Sequence, residues 1–80
     1  MRRTNLDVSV NILETAVSGA RKTKIVYQSN INFAIVGGYL DTLISGGLLA
    51  IDEKGCFKTT KKGAKFVKDY QNLMKPIQFY

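Results

Sequence analysis

The dipeptide Lys54-Gly55 constrains this chain more than any other feature, because it stands between two short runs that suit strands. Leu48-Leu49-Ala50-Ile51-Asp52-Glu53 precedes it and Cys56-Phe57-Lys58-Thr59 follows. A glycine in so short a joint accepts the backbone angles that a tight antiparallel turn demands. The pattern predicts a β-hairpin. With 80 residues, about two-thirds of the unfolded surface can be buried, so one core has to serve the whole chain.

Helical spacing accounts for the remainder. Leu6, Val10, Leu13 and Val17 recur on one helix face, with Ile12 and Ala16 widening the stripe. Asn5 or Thr4 can cap this first helix, expected over about Leu6 to Ser18, and Gly19 closes it. A second segment, Arg21 to Gln28, holds β-branched residues that also suit a strand. The polar break Gln28-Ser29-Asn30, with Asn30 as a left-handed turn residue, favours a short helix instead. A third helix is expected over Ile31 to Gly46, capped by Asn32, with Val36, Leu40, Leu43 and Ile44 inward. Gly37-Gly38 falls in its middle, each glycine costing about 1 kcal/mol that packing has to offset. Thr60 caps a last helix over about Lys61 to Leu73, with Ala64, Phe66, Val67, Tyr70, Leu73 and Met74 on its apolar face; Pro76 ends it.

The order is α-α-α-β-β-α, a mainly α chain with a small hairpin (α+β). A hairpin after a helix-turn-helix is the layout of a winged-helix domain. One domain is expected over residues 1–80, with 1–5 a flexible basic arm and 75–80 a tail. Phe79 and Tyr80 close that tail and either fold back or meet a second subunit.

The residue inventory excludes most enzyme chemistry. There is no His, Cys56 is the lone cysteine, and the six acids are scattered, so no catalytic residue, metal or cofactor is expected. The longest uncharged stretch, Ile25 to Leu40, is too polar to cross a bilayer, and no targeting signal is visible. A cytoplasmic, nucleoid-associated protein is expected. Twelve Lys and Arg against six Asp and Glu leave a net charge of +6, a field that favours polyanions.

The charge has a pattern that fits the layout. Arg21, Lys22 and Lys24 stand at the start of the second helix, which in helix-turn-helix proteins crosses the phosphate backbone. Lys54 and Lys58 lie in the hairpin, the wing, and Arg2 and Arg3 make an arm that could enter a minor groove. Lys61, Lys62, Lys65 and Lys68 line the last helix, either against phosphate or keeping a dimer surface soluble. Tyr27, Phe33, Tyr39, Phe57, Phe66 and Tyr70 read as core residues rather than a stacking platform for single strands, and Cys56 as a small apolar residue of the wing.

Ile12-Leu13-Glu14-Thr15-Ala16, then Gly19 through Tyr27, then Thr59-Thr60-Lys61-Lys62-Gly63-Ala64-Lys65-Phe66, resemble small archaeal winged-helix proteins. Asn30-Ile31-Asn32-Phe33, Tyr39-Leu40, Leu43-Ile44 and Gly47-Leu48-Leu49 continue the likeness, which spans roughly residues 8 to 74. The resemblance implies a DNA-binding domain, transcription-regulator-like or chromatin-associated. It also implies a homodimer through the last helix, for which Phe66, Tyr70, Leu73 and Met74 are the candidate contacts.

The chain departs from that family on the third helix, the candidate recognition helix. Relatives carry Lys, Gln or Arg on its exposed side; here Ala34, Ile35, Gly37, Gly38, Asp41, Thr42 and Ser45 stand there. Bidentate base contacts are unavailable from such a surface. Asn32, Ala34, Ile35, Gly38 and Thr42 are the expected groove-facing positions, and double-stranded DNA would be held largely through phosphate. The alternative is a protein-interaction module that holds a partner on the uncharged Ile35-Gly37-Gly38 face.

Overall fold

The computed structural model describes residues 5–74, so Arg2 and Arg3 of the expected arm, and Pro76, Phe79 and Tyr80 of the tail, lie outside the described residues. The elements are α1 (Asn5–Thr15), β1 (Ala20–Arg21), α2 (Lys22–Ser29), α3 (Phe33–Ser45), β2 (Leu49–Ile51), β3 (Cys56–Thr59) and α4 (Lys61–Met74). The expected α+β winged helix-turn-helix fold is present, with one strand more than the sequence suggested. The strands form an antiparallel sheet in the order β1-β3-β2, pairing Ala20 with Phe57 and Leu49 with Thr59. β1 is two residues long, too short for any alternating pattern, which is why the sequence hid it.

α1 ends at Thr15 rather than Ser18 because its last carbonyls are taken by β3. The Thr59 hydroxyl donates to the Leu13 carbonyl at 2.6 Å, and the Thr59 N–H to that of Ala16 at 3.0 Å. The buried face is also wider and turned from the expected stripe. Val8, Val10, Ile12, Leu13 and Ala16 are buried, whereas Leu6 and Val17 are 44% and 54% exposed. α1 packs against α2 on one side and α4 on the other, so residues on two flanks go inside. With Ala20, Ile25, Val36, Leu40, Leu43, Leu49, Phe57 and Val67 they make the core.

Both joints of the wing are fixed locally. The Asp52 carboxylate accepts the N–H groups of Lys54 and Cys56 at 2.8 and 2.9 Å, and Gly55 supplies a φ of 82°. Thr60 then links wing to α4: its N–H donates to the Leu48 carbonyl, its hydroxyl donates to that of Gly47, and its oxygen caps the Gly63 N–H. Buried on the inner face of α4 are Gly63 and Val67, with Phe66 and Tyr70 partly covered. Ala64, expected inward, is exposed, because Gly63 takes the closest approach, to Leu48 just ahead of β2 and to Thr59. Among the described residues no helix is long and apolar enough to cross a membrane.

Candidate nucleic-acid interface

α2 and α3 are joined by a turn built from two asparagines. Asn30 takes the left-handed conformation expected of it, φ 55° and ψ 43°. Asn32 caps α3, its Oδ1 accepting the Ala34 N–H at 2.7 Å. That bond takes one of the two lone pairs of the side-chain oxygen.

Arg21 pairs with Cys56 on β3, so its side chain emerges on the same sheet face as Cys56 and, two residues on, Lys58. Phe57 points the opposite way into the core, which leaves that outer face to the cations. The Arg21 guanidinium reaches the wing turn and Nη1 donates to the Lys54 carbonyl at 3.1 Å. One of five donors is thereby used, and the charge stays exposed. The start of α2, the outer sheet face and the wing turn thus form one basic strip.

Lys22 does something the sequence did not reveal. Its ammonium sits 4.6 Å from the centroid of the Phe33 ring, a cation–π contact. A β-carbon on Gly37, one turn further along α3, would stand 3.8 Å from the same nitrogen. α3 has no basic residue of its own, and α2 lends it one. Lys24 is exposed on the outer side of α2.

The wing is not purely cationic. Glu53 is exposed beside Lys54, and Asp52 is exposed beneath it. The Cys56 N–H, chiefly, holds the Asp52 pKa below the ordinary 3.8; desolvation opposes it, and the Lys54 N–H and the Arg21 charge add to the lowering. On α4, Lys62 donates to the Gly46 carbonyl at 2.9 Å, placing its charge at the C-terminal end of α3, where the helix dipole favours a cation. Lys65 pairs with Asp69 at 3.4 Å, both well exposed. Two of the four α4 lysines are therefore engaged within the chain, while Lys61 and Lys68 face solvent.

Ala34, Ile35, Gly38 and Thr42 are exposed on α3, as expected of its outer face. Ile35, Gly38, Tyr39 and Thr42 line a shallow hollow of about 410 Å³ with Asn5 and Ser9 of α1, all uncharged. Tyr27 and Phe33 correct an expectation: they are 82% and 51% exposed rather than core. The inward positions of α2 are Ile25 and Ser29, and Tyr27, two residues past Ile25, falls about 200° around the helix. Phe33 opens α3 at the rim of the core, half-covered and bearing Lys22. Phe57 is buried and Tyr39, Phe66 and Tyr70 are partly so.

Of the candidate dimer contacts, Phe66 and Tyr70 are half-buried and Leu73 is 69% exposed; the Met74 side chain lies outside the described residues. Leu6, Phe66, Asp69, Tyr70 and Leu73 line a small apolar hollow of about 190 Å³. The Tyr70 hydroxyl donates to the Asp7 carboxylate, and that bond, chiefly, raises its pKa above the ordinary 10.0.

The winged helix-turn-helix family matches residues 2–78, nearly the whole chain. The chain belongs to that family. Among solved structures, this winged helix is similar to the crystal structure of Sso10a-2, a DNA-binding protein from Sulfolobus solfataricus, at a TM-score of 0.75. The likeness covers 94% of this chain and 85% of that one at 20% identity, so it speaks for the fold. No curated protein is similar enough in sequence to match.

Proposed function

We propose that this winged helix binds double-stranded DNA mainly through its phosphates, as a homodimeric transcriptional regulator or nucleoid-associated protein. One observation carries the reading: Arg21, Lys58 and Lys54 share a basic strip on the outer sheet face and wing, beside Lys22 and Lys24 on α2. No carboxylate occurs between Glu14 and Asp41, so exposed Asp41 on α3 is the one acid of the helix-turn-helix. α3 brings a small, uncharged face that lets a groove come close, with the Lys22 ammonium laid over it. That Sso10a-2 is a DNA-binding protein of similar fold supports the assignment. Arg2 and Arg3 add positive charge to the same end of the sequence.

Affinity for random duplex DNA should fall by about 10³–10⁵ between 50 and 200 mM salt if a dimer engages roughly 6–10 phosphates. Lys24→Glu and Lys58→Glu should each weaken binding uniformly across sequences. A salt-independent affinity would refute the reading. The uncharged hollow beside Ile35 and Gly38 favours a second reading, a protein partner held on α3; a wild-type chain that fails to retard duplex DNA would select it.

A further inference from the structure

Tyr27 has no structural task in the described fold. Its side chain is 82% exposed, on a helix whose inward positions are filled by Ile25 and Ser29. Lys24, three residues earlier, shares its face of α2 by helix geometry. Across the turn, Phe33 keeps 51% of its surface open and carries the Lys22 ammonium at 4.6 Å. The helix-turn-helix therefore presents two aromatic rings, each with a lysine beside it, in a stretch of sequence that holds Arg21 as well and no carboxylate. Exposed rings are costly to keep in water when a Lys or Gln would serve, and cations alone would satisfy a phosphate backbone.

Rings interleaved with cations suit one class of ligand. Bases freed from pairing expose π-faces that stack on Tyr or Phe, while the lysines between follow the phosphates. Paired bases of an intact duplex keep their faces hidden in the stack and offer these rings nothing. We infer that the helix-turn-helix is a binding site for single-stranded nucleic acid, with Tyr27 stacking on an unpaired base beside Lys24, and the Phe33–Lys22 pair, whose lysine stands about 140° from Tyr27 around α2, making a second contact with the same strand. The site goes beyond duplex binding and shares with it the α2 cations.

The probes are a labelled oligothymidylate of roughly 16 nucleotides, the matching oligouridylate, an abasic strand and a duplex of equal length. Tyr27→Ala should weaken oligothymidylate binding roughly tenfold, Tyr27→Phe should leave it intact, and neither should alter affinity for the duplex or the abasic strand. Phe33→Ala should act in the same direction, and because Tyr27 is so exposed, Tyr27→Ala keeps the test free of folding effects. A ring-dependent preference for oligouridylate would name RNA as the source of the strand, within the same chemistry. The inference falls if Tyr27→Ala is silent on the single strand, if it weakens the duplex equally, or if polyglutamate binds with the same ring dependence. Duplex binding that survives such a result leaves the proposed function standing; ring-dependent single-strand binding without duplex binding removes the proposed function alone.

Discussion

A β-carbon on Gly63 would lie 2.1 Å from the Leu48 carbonyl oxygen and 2.7 Å from Thr59 Cγ2. The first of these is backbone, which cannot swing aside as a side-chain tip would. Alanine gains about 1 kcal/mol of helix propensity over glycine, but forcing atoms into a filled space costs typically about 1–3 kcal/mol and here moves the Leu48 backbone just ahead of β2. Gly63→Ala should therefore destabilise the protein by up to about 2 kcal/mol net in urea unfolding. Gly38 is the opposite case, since a β-carbon there meets nothing within 4 Å and the position is exposed in mid-helix. Gly38→Ala should stabilise by about 0.5–1 kcal/mol. The same denaturation curves check both signs. Nothing in the packing requires a glycine at position 38.

At the scale of elements, the wing turn depends on a single carboxylate. Asp52 accepts two backbone N–H groups only when ionised to full effect, and its folded pKa lies below the ordinary 3.8. Its contribution is thus complete above that value and is lost as pH falls through the lower folded one. Amide exchange at Lys54 and Cys56 should accelerate in acid well before the helices melt, and Asp52→Asn should remove that pH dependence while loosening the turn at neutral pH. The wing was legible in the sequence because Lys54-Gly55 carries its own turn chemistry. So were the Asn32 cap and the left-handed Asn30, which act on neighbouring backbone. β1 was not, since its two residues owe their strand character to β3, over thirty positions away in sequence. The exposed rings of Tyr27 and Phe33 were misread for a related reason. Hydrophobicity marks a residue as able to enter a core, and only the rotation of α2 and the edge of α3 decide whether it does.

For the whole molecule the question is how charge and assembly combine. Five of the twelve cations, Arg21, Lys22, Lys24, Lys54 and Lys58, stand on β1, α2 and the wing, while α4 and the start of α1 offer an apolar hollow flanked by Leu6 and Leu73, 44% and 69% exposed. An exposed leucine at the end of an amphipathic helix beside half-buried Phe66 and Tyr70 gives a second copy a surface on which to bury apolar area. If pairing occurs there, two basic faces become fixed to one another and each must contribute to the same binding event. The logarithmic salt slope is about −0.9 per phosphate neutralised, so a dimer that spans two sites should show about twice the slope of its monomer. Leu73→Lys should convert the proposed dimer to a monomer in sedimentation and, with the α2–wing face untouched, roughly halve the slope of duplex affinity against salt. A slope that stays unchanged while the sedimenting mass halves would mean that each subunit binds alone, and that the α4 surface has another use.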